Sequence, residues 1–286
     1  MQNRRLSLIH LVIILCLSVF SFSTHSIASQ KDGLLKVYFL DVGQGDSIFV
    51  ETPNGNQILI DGGPDNKVIQ KLAKVMPFYD HDIDVVIASH PHADHIAGLI
   101  NVLERYEVKN ILQAREGYNS PVVPAWQDAV QGEGANEIEA IAGKIIEFGN
   151  GVVLKIIYPK ESLEGQTVKN PNNSSVVMVL DYKETEILLV GDIEAKVEKE
   201  LLNDNIGADI LKVGHHGSKT STTVNFLEKV SPQVAFIEVG SKNKFGHPSP
   251  EVIQRLENSG IKYYRTDLDG HTEVITDGET FQVKKY

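Results

Sequence analysis

One cysteine, Cys16, is all that 286 residues contain. That excludes a disulfide framework and a zinc site built on thiolates. Any metal therefore falls to His, Asp or Glu. Positive charge is also scarce, with 27 Lys+Arg against 38 Asp+Glu and a net charge of −11. Such a chain lacks the overall attraction to nucleic acid of a basic protein, so any recognition of phosphate must be local. Long hydrophobic runs are confined to Leu6–Phe22, which excludes a multi-span membrane protein. No repeat and no low-complexity tract is visible. With 42% hydrophobic and 23% charged residues, the composition is that of a globular domain.

The N-terminus departs from the rest. Arg4 and Arg5 precede the apolar run, and Ser26-Ile27-Ala28 follows it with small residues at the −3 and −1 positions. This pattern predicts a secretory signal peptide over 1–28, cut after Ala28. An uncleaved N-terminal membrane anchor is the alternative, because the run is near the spanning minimum. Cleavage leaves one domain, 29–286, with 25 Lys+Arg against 38 Asp+Glu, a balance of −13. That domain is expected to be secreted, periplasmic or at the cell surface, with no stable membrane insertion.

Short apolar runs alternate with amphipathic stretches through the remainder. Strands are predicted at Leu35–Leu40, Ser47–Val50, Gln57–Ile60, Val85–Ala88, Val152–Tyr158, Val176–Leu180, Ile187–Val190, Ile210–Val213, Val234–Glu238, Lys262–Tyr264 and Thr272–Ile275. Helices are predicted at Val68–Met76, Ile96–Tyr106, Glu194–Leu202 and Thr223–Val230, with another opened by Ser249 as N-cap and Pro250 behind it. Residues 114–136 read as a loop around Trp126 with one helical turn or more. The whole reads as one α/β domain in two halves, each a mixed sheet covered by helices.

His90-Pro91-His92-Ala93-Asp94-His95 dominates the sequence. Three imidazoles and a carboxylate within six residues make sense only around a cation. Three other predicted strands end in similar chemistry, at Asp61, at Asp192 and at His215-His216. In layered α/β folds, sites lie at the carboxyl ends of strands, so these residues are expected to share one pocket. Asp61 suits an outer role, orienting a ligating His.

These segments resemble the metallo-β-lactamase superfamily of hydrolases, whose His-x-His-x-Asp-His signature the run matches. The finer likeness is to the extracellular hydrolase domain of ComEC-type DNA-uptake (competence) proteins. It is carried by Phe39-Leu40-Asp41-Val42-Gly43-Gln44-Gly45-Asp46-Ser47, Leu188–Glu194, Lys212-Val213-Gly214-His215-His216-Gly217-Ser218 and Gly246-His247-Pro248. The resemblance implies an αββα four-layer sandwich with two divalent metal ions, zinc or alternatively manganese, between the sheets. By motif, His90 and His92 hold the first metal, Asp94 and His95 the second, and Asp192 bridges them. One of His215 and His216 completes the second site, with His216 preferred, and the other faces substrate. Many members add a further His to the first metal, but this chain has none between Ile96 and Gly191. Asn173 and Ser174 stand at that position.

Further candidates for substrate contact or support are Asp41, Gln44, Asp46, Ser218, Lys244 and His247, with Arg265 and Asp267 behind them. His81 and His271 read as structural or surface residues. The implied activity is a metal-dependent phosphodiesterase or nuclease acting on DNA, with Asp94 and His215 at the reacting centre and DNA-uptake machinery as a partner. Hydrolysis of C–N or thioester bonds is one alternative. A non-catalytic module that binds DNA or a phosphate polymer is another.

Overall fold

Alternation along the strands decides the layers. In β1 (Leu35–Phe39), Leu35, Val37 and Phe39 point one way into a core, while Tyr38 points the other way into a second core. The same division recurs in β2 (Ile48–Glu51) and β3 (Gln57–Ile60), where Ile58 and Ile60 part from Leu59. Such a sheet is apolar on both faces and must be covered on both.

A computed structural model describes residues 33–286, which form one compact unit. The expected leader, 1–28, lies outside the described residues. After β3 come α1 (Lys67–Val75), β4 (Asp82–Ile87), α2 (Ala93–Leu103), β5 (Glu107–Gln113), α3 (Val122–Glu133) and β6 (Asn136–Glu139). Then follow β7 (Ile145–Gly149), β8 (Val152–Tyr158), β9 (Val177–Tyr182), β10 (Thr185–Leu189), α4 (Ala195–Leu201), β11 (Ile210–Lys212), α5 (Val224–Val230) and β12 (Val234–Ile237). The chain continues through α6 (Pro250–Asn258), β13 (Lys262–Arg265), β14 (Thr272–Thr276) and β15 (Phe281–Lys285).

One sheet has the order β15-β14-β1-β2-β3-β4-β5-β6 and the other β13-β12-β11-β10-β9-β8-β7. Their inner faces share one apolar core, in which Phe39 of the first sheet stacks on Phe236 of the second at 4.0 Å. The outer face of the first sheet packs on α1, α2 and α3, and that of the second on α4, α5 and α6. This is the expected αββα sandwich. Among the described residues, no helix is long and apolar enough to cross a membrane.

β3 to β6 run parallel, and so do β10 to β13. Their carboxyl ends therefore deliver the loops at 61, 88–92, 190–192 and 213–218. β1 runs parallel to β3, since both are antiparallel to β2, so its loop 40–47 emerges at the same end.

Two expectations needed revision. Residues 122–133 are a full helix that buries Val123, Trp126 and Val130. Pro124 sits in its first turn, where a missing N–H costs nothing. Strands β5, β6, β7 and β15 were not legible. β6, β7 and β15 are sheet edges that face water, so little apolar alternation marks them.

Glycines clamp the site end. The loop after β3 lies directly on α2, with Gly62 N–H donating to His95 O at 2.7 Å and Gly98 N–H to Gly63 O at 2.9 Å. A Cβ on Gly98 would collide with the Gly62 carbonyl, whereas one on Gly132 in α3 meets nothing within 4 Å. Gly98→Ala should therefore destabilise by about 1–3 kcal/mol or more. Gly132→Ala should stabilise by about 0.5–1 kcal/mol. Urea unfolding of both variants checks the opposite signs.

Candidate metal centre

Asp61 ends β3 in the left-handed region, at φ 58. Its carboxylate accepts from Ser89 N–H at 2.8 Å, from Ser89 Oγ–H at 2.6 Å and from His95 Nδ1–H at 2.7 Å. With its one hydrogen given to Asp61, Ser89 Oγ can only accept from His90 Nδ1, 3.0 Å away. One buried carboxylate thus holds the Nδ1 edges of two imidazoles, directly at His95 and through Ser89 at His90, and turns the Nε2 of each inward.

His216 is oriented from the opposite sheet. Its Nδ1 donates to Glu238 O at 2.9 Å and lies 3.1 Å from Asp46 Oδ1. Asp46 is in turn 2.6 Å from the ammonium of Lys212, and both are buried. Lys212 also donates to Val213 O at 3.0 Å. Ser47 N–H donates to Glu238 Oε1 at 3.0 Å. Lys212, quoted only as part of a motif, and Glu238 were given no role from the sequence because each sits inside an apolar strand pattern. His215 and His216 both adopt left-handed backbone, at φ 49 and 52. This costs roughly 1–2 kcal/mol per residue and sends the two adjacent rings to different places.

The inward-facing atoms converge. His95 Nε2 and His216 Nε2 each lie 3.3 Å from Asp192 Oδ2, and His216 Nε2 is 3.5 Å from Asp94 Oδ2. His90 Nε2 is 3.0 Å from His92 Nδ1 and 3.9 Å from Asp192 Oδ2. Tetrahedral ligands on bonds of about 2.0–2.1 Å are separated by roughly 3.3 Å, so the shorter of these separations fit the edges of a coordination polyhedron. The sets His90–His95–Asp192, Asp94–His95–His216 and Asp46–Asp192–His216 each bring their ligand atoms within 4.8 Å of one another. His95 Nε2, His216 Nε2 and Asp192 Oδ1 are buried without a hydrogen-bond partner. Buried polar atoms in that state are costly, and a divalent cation satisfies them. The donor set fits the metal that the sequence implies.

Titration follows the same geometry. Burial, then the charge of His95, holds the His90 imidazole well below its ordinary pKa, and His92 is lowered for the same reasons. At His95 burial is outweighed by Asp192 and Asp61, and at His216 by Asp192 and Asp46, so both rings are raised well above the ordinary value. Asp192 is held well below the carboxylate range by His216 and His95, against burial.

His215 stands apart from His216, at the mouth. Its Nε2 is 3.9 Å from Asp192 Oδ2, and its ring lies beside Asn172 and Thr220. His247 stands 5.6 Å from it, centroid to centroid, with Nδ1 buried and unpartnered. Burial and the neighbouring His215 push the His247 pKa down to about 4.

The remaining candidates are placed as follows. Asp46 lies behind His216, and Gln44 Oε1 accepts from Gly240 N–H at 3.3 Å, tying the two halves together. Asp41 faces away, paired with Lys71 of α1 at 3.3 Å. Asn173 is bound to Glu194, and Ser174 donates to Glu116. Asn172, not singled out from sequence, is the amide of that turn nearest His215, and its Oδ1 is buried without a partner. Ser218 pairs with Thr220 at 3.0 Å, and Lys244 is exposed with its ammonium over Phe245. Arg265 and Asp267 bind each other. His81 is exposed, and His271 stacks on Tyr286.

Comparison with known proteins agrees with this arrangement. Residues 40–239 match the Metallo-beta-lactamase superfamily. ComE operon protein 3 of Bacillus subtilis is 30% identical over 82% of this chain and 32% of its own length. Competence protein ComA of Neisseria gonorrhoeae is 28% identical over 80% of this chain and 30% of its own. The chain thus spans about a third of the length of the curated relatives it matches. Among solved structures, the metallo-beta-lactamase fold protein YhfI of Bacillus subtilis aligns with a TM-score of 0.53 at 11% identity, covering 88% of this chain and 100% of that one. CmlA, a diiron beta-hydroxylase of Streptomyces venezuelae, aligns with a TM-score of 0.54 at 11% identity, covering 88% of this chain and 54% of that one.

Asp61→Asn should lower the affinity for zinc or manganese about 10–100-fold, measured by competition with a chromogenic chelator. Binding should also weaken as pH falls, because the protons held on His95 and His216 must leave before a cation enters. Calorimetry in buffers of different ionisation enthalpy should record proton release.

Proposed function

Because the chain belongs to the metallo-beta-lactamase superfamily, we propose that it is a metal-dependent phosphodiesterase that cleaves DNA. The observation that carries this reading is the separation of His215 from His216. One imidazole joins the buried cluster, while the other waits at the mouth beside His247 and Asn172. Neutral donors placed above a carboxylate-lined centre suit the non-bridging oxygens of a phosphodiester.

In this reading, His90 and His92 would hold one divalent cation, Asp94, His95 and His216 would hold the other, and Asp192 would serve both. Zinc fits the imidazole and carboxylate donors. The first position lacks a third His, so water or substrate would complete it, and manganese is the alternative there. When bound, the two cations supply Lewis-acid charge and make hydroxide available near pH 7. Asp94 Oδ2, with its oxygen toward His216, orients the attacking water. His215 and His247 donate to the phosphoryl oxygens, and Lys244 adds positive charge at the rim. Asp61, Ser89 and Asp46 keep the ligating imidazoles in their tautomers. Export through the N-terminal segment would place this activity outside the cytoplasm, where the named likeness to a competence protein suits work on incoming DNA.

The test is a parallel assay of the purified chain, depleted of metal and then resupplied. Its substrates are plasmid DNA, bis-p-nitrophenyl phosphate and a chromogenic cephalosporin. We expect phosphodiester cleavage to return with zinc or manganese and to be absent in Asp192→Ala. Turnover of the cephalosporin alone would overturn the proposal in favour of C–N hydrolysis. DNA binding with no turnover by the resupplied chain would instead favour a binding module.

A further inference from the structure

Beside the candidate metal centre, one aromatic ring is held in solvent outside the apolar cores. Phe245 is 57% exposed and belongs to none of the three apolar cores. Its loop, 240–248, is nonetheless tightly fixed. The Asn243 amide donates to Gly240 O at 2.8 Å and to His247 O at 2.7 Å, and it accepts from Phe245 N–H at 3.1 Å and His247 N–H at 3.0 Å. Gly240, at the base of the loop, is pressed against the backbone of Gln44, leaving no room for a Cβ. Four bonds from one side chain thus hold an apolar ring out in water.

The ring does not stand alone. Phe245 stacks on His247 at 5.8 Å and 18°, and His247 meets His215 at 5.6 Å and 66°. A continuous run of aromatic faces leads from the mouth of the centre to the surface. Lys242 and Lys244 flank the outer end, both exposed, and neither forms an ion pair among the described residues. An aromatic platform edged with cations beside a phosphate-cleaving centre is the pairing used to hold unpaired bases, since every base offers a π-face and every linkage a charge.

We propose that Phe245 is a stacking platform for an unpaired nucleobase next to the scissile phosphate, which makes the chain selective for single-stranded over duplex nucleic acid. This rests on the phosphodiester reading of the same centre. In a duplex both faces of an internal base are covered by its neighbours, so the platform has nothing to engage. The loop also explains how an acidic chain holds a polyanion, because stacking does not depend on net charge.

Two measurements test it. In the first, the resupplied chain cleaves a single-stranded oligodeoxynucleotide, its duplex and an abasic strand of equal length. The intact chain should prefer the base-bearing single strand by about tenfold or more over the other two. In Phe245→Ala that preference should collapse towards one. Equal rates on the base-bearing and abasic strands, or an unchanged preference in Phe245→Ala, would overturn the proposal. In the second, Phe245→Trp places a fluorophore at the platform, against the background of buried Trp126. The base-bearing oligonucleotide should quench its emission and the abasic strand should not, and equal quenching by both would likewise count against stacking. If no strand is cleaved at all, the phosphodiester reading fails, while the quenching still decides whether bases stack on this ring.

Discussion

The site end of this fold is arranged around the Asp192 carboxylate, buried where three imidazoles point at it while a fourth, that of His215, stands at the mouth. His95 and His216 approach one of its oxygens at 3.3 Å, and His90 and His215 at 3.9 Å. Each buried polar atom left unpaired costs about 1–3 kcal/mol. Such a convergence survives only if something shares the charge. The ring nitrogens of His95, His90 and His216 that face away from Asp192 are already engaged, by Asp61 and Ser89 on one side and Glu238 and Asp46 on the other. The rings cannot turn to relieve the crowding. The orientation is set by the protein, and a bound cation would supply the compensation.

That orientation depends on both sheets. The first sheet supplies Asp61, Ser89 and the helix that carries Asp94 and His95. The second supplies Asp192 and His216. Lys212 joins them: it extends from β11, while Asp46, its partner, lies in the loop after β1. A fully buried ammonium is expensive, and breaking such a pair by removing one partner typically costs about 3–5 kcal/mol. Asp46 faces the back of His216, so the interior ion pair also stands behind a metal-facing ring. The stacking of Phe39 on Phe236 fixes the same spacing between sheets from the apolar side.

The ligand cluster was legible because its chemistry is concentrated. Three imidazoles and an acid within six residues have no comfortable explanation as a solvated loop, and Asp61, Asp192 and His215-His216 each follow a clear apolar strand. The layers were legible for a related reason, since central strands such as Ile58-Leu59-Ile60 must be apolar on both faces. Edge strands such as β15 lack that requirement and left little trace. Asn172 was hidden because an amide in a polar turn looks like its neighbours Asn173 and Ser174, and only the turn geometry distinguishes them. Lys212 was hidden for the opposite reason. It lies in an apolar strand beside a recognised motif, where a lysine ordinarily reads as a solvent-facing residue.

Charge then separates what the fold can do from what this chain does with it. The same layers carry a diiron hydroxylase in CmlA, so the sandwich alone does not select a reaction. Selection falls to the rim. With a net charge of −11, the surface as a whole repels a polyanion. Among the described residues, the lysine buried at the centre of the site, Lys212, is held against Asp46 and is not free to meet a substrate anion. On the phosphodiester reading, affinity would come from contacts that hold without long-range attraction: hydrogen bonds from His215 and His247, and flat apolar contact at Phe245. Such contacts would form only with the strand already in place, which would suit a strand delivered to the mouth better than one reached by sliding along duplex DNA.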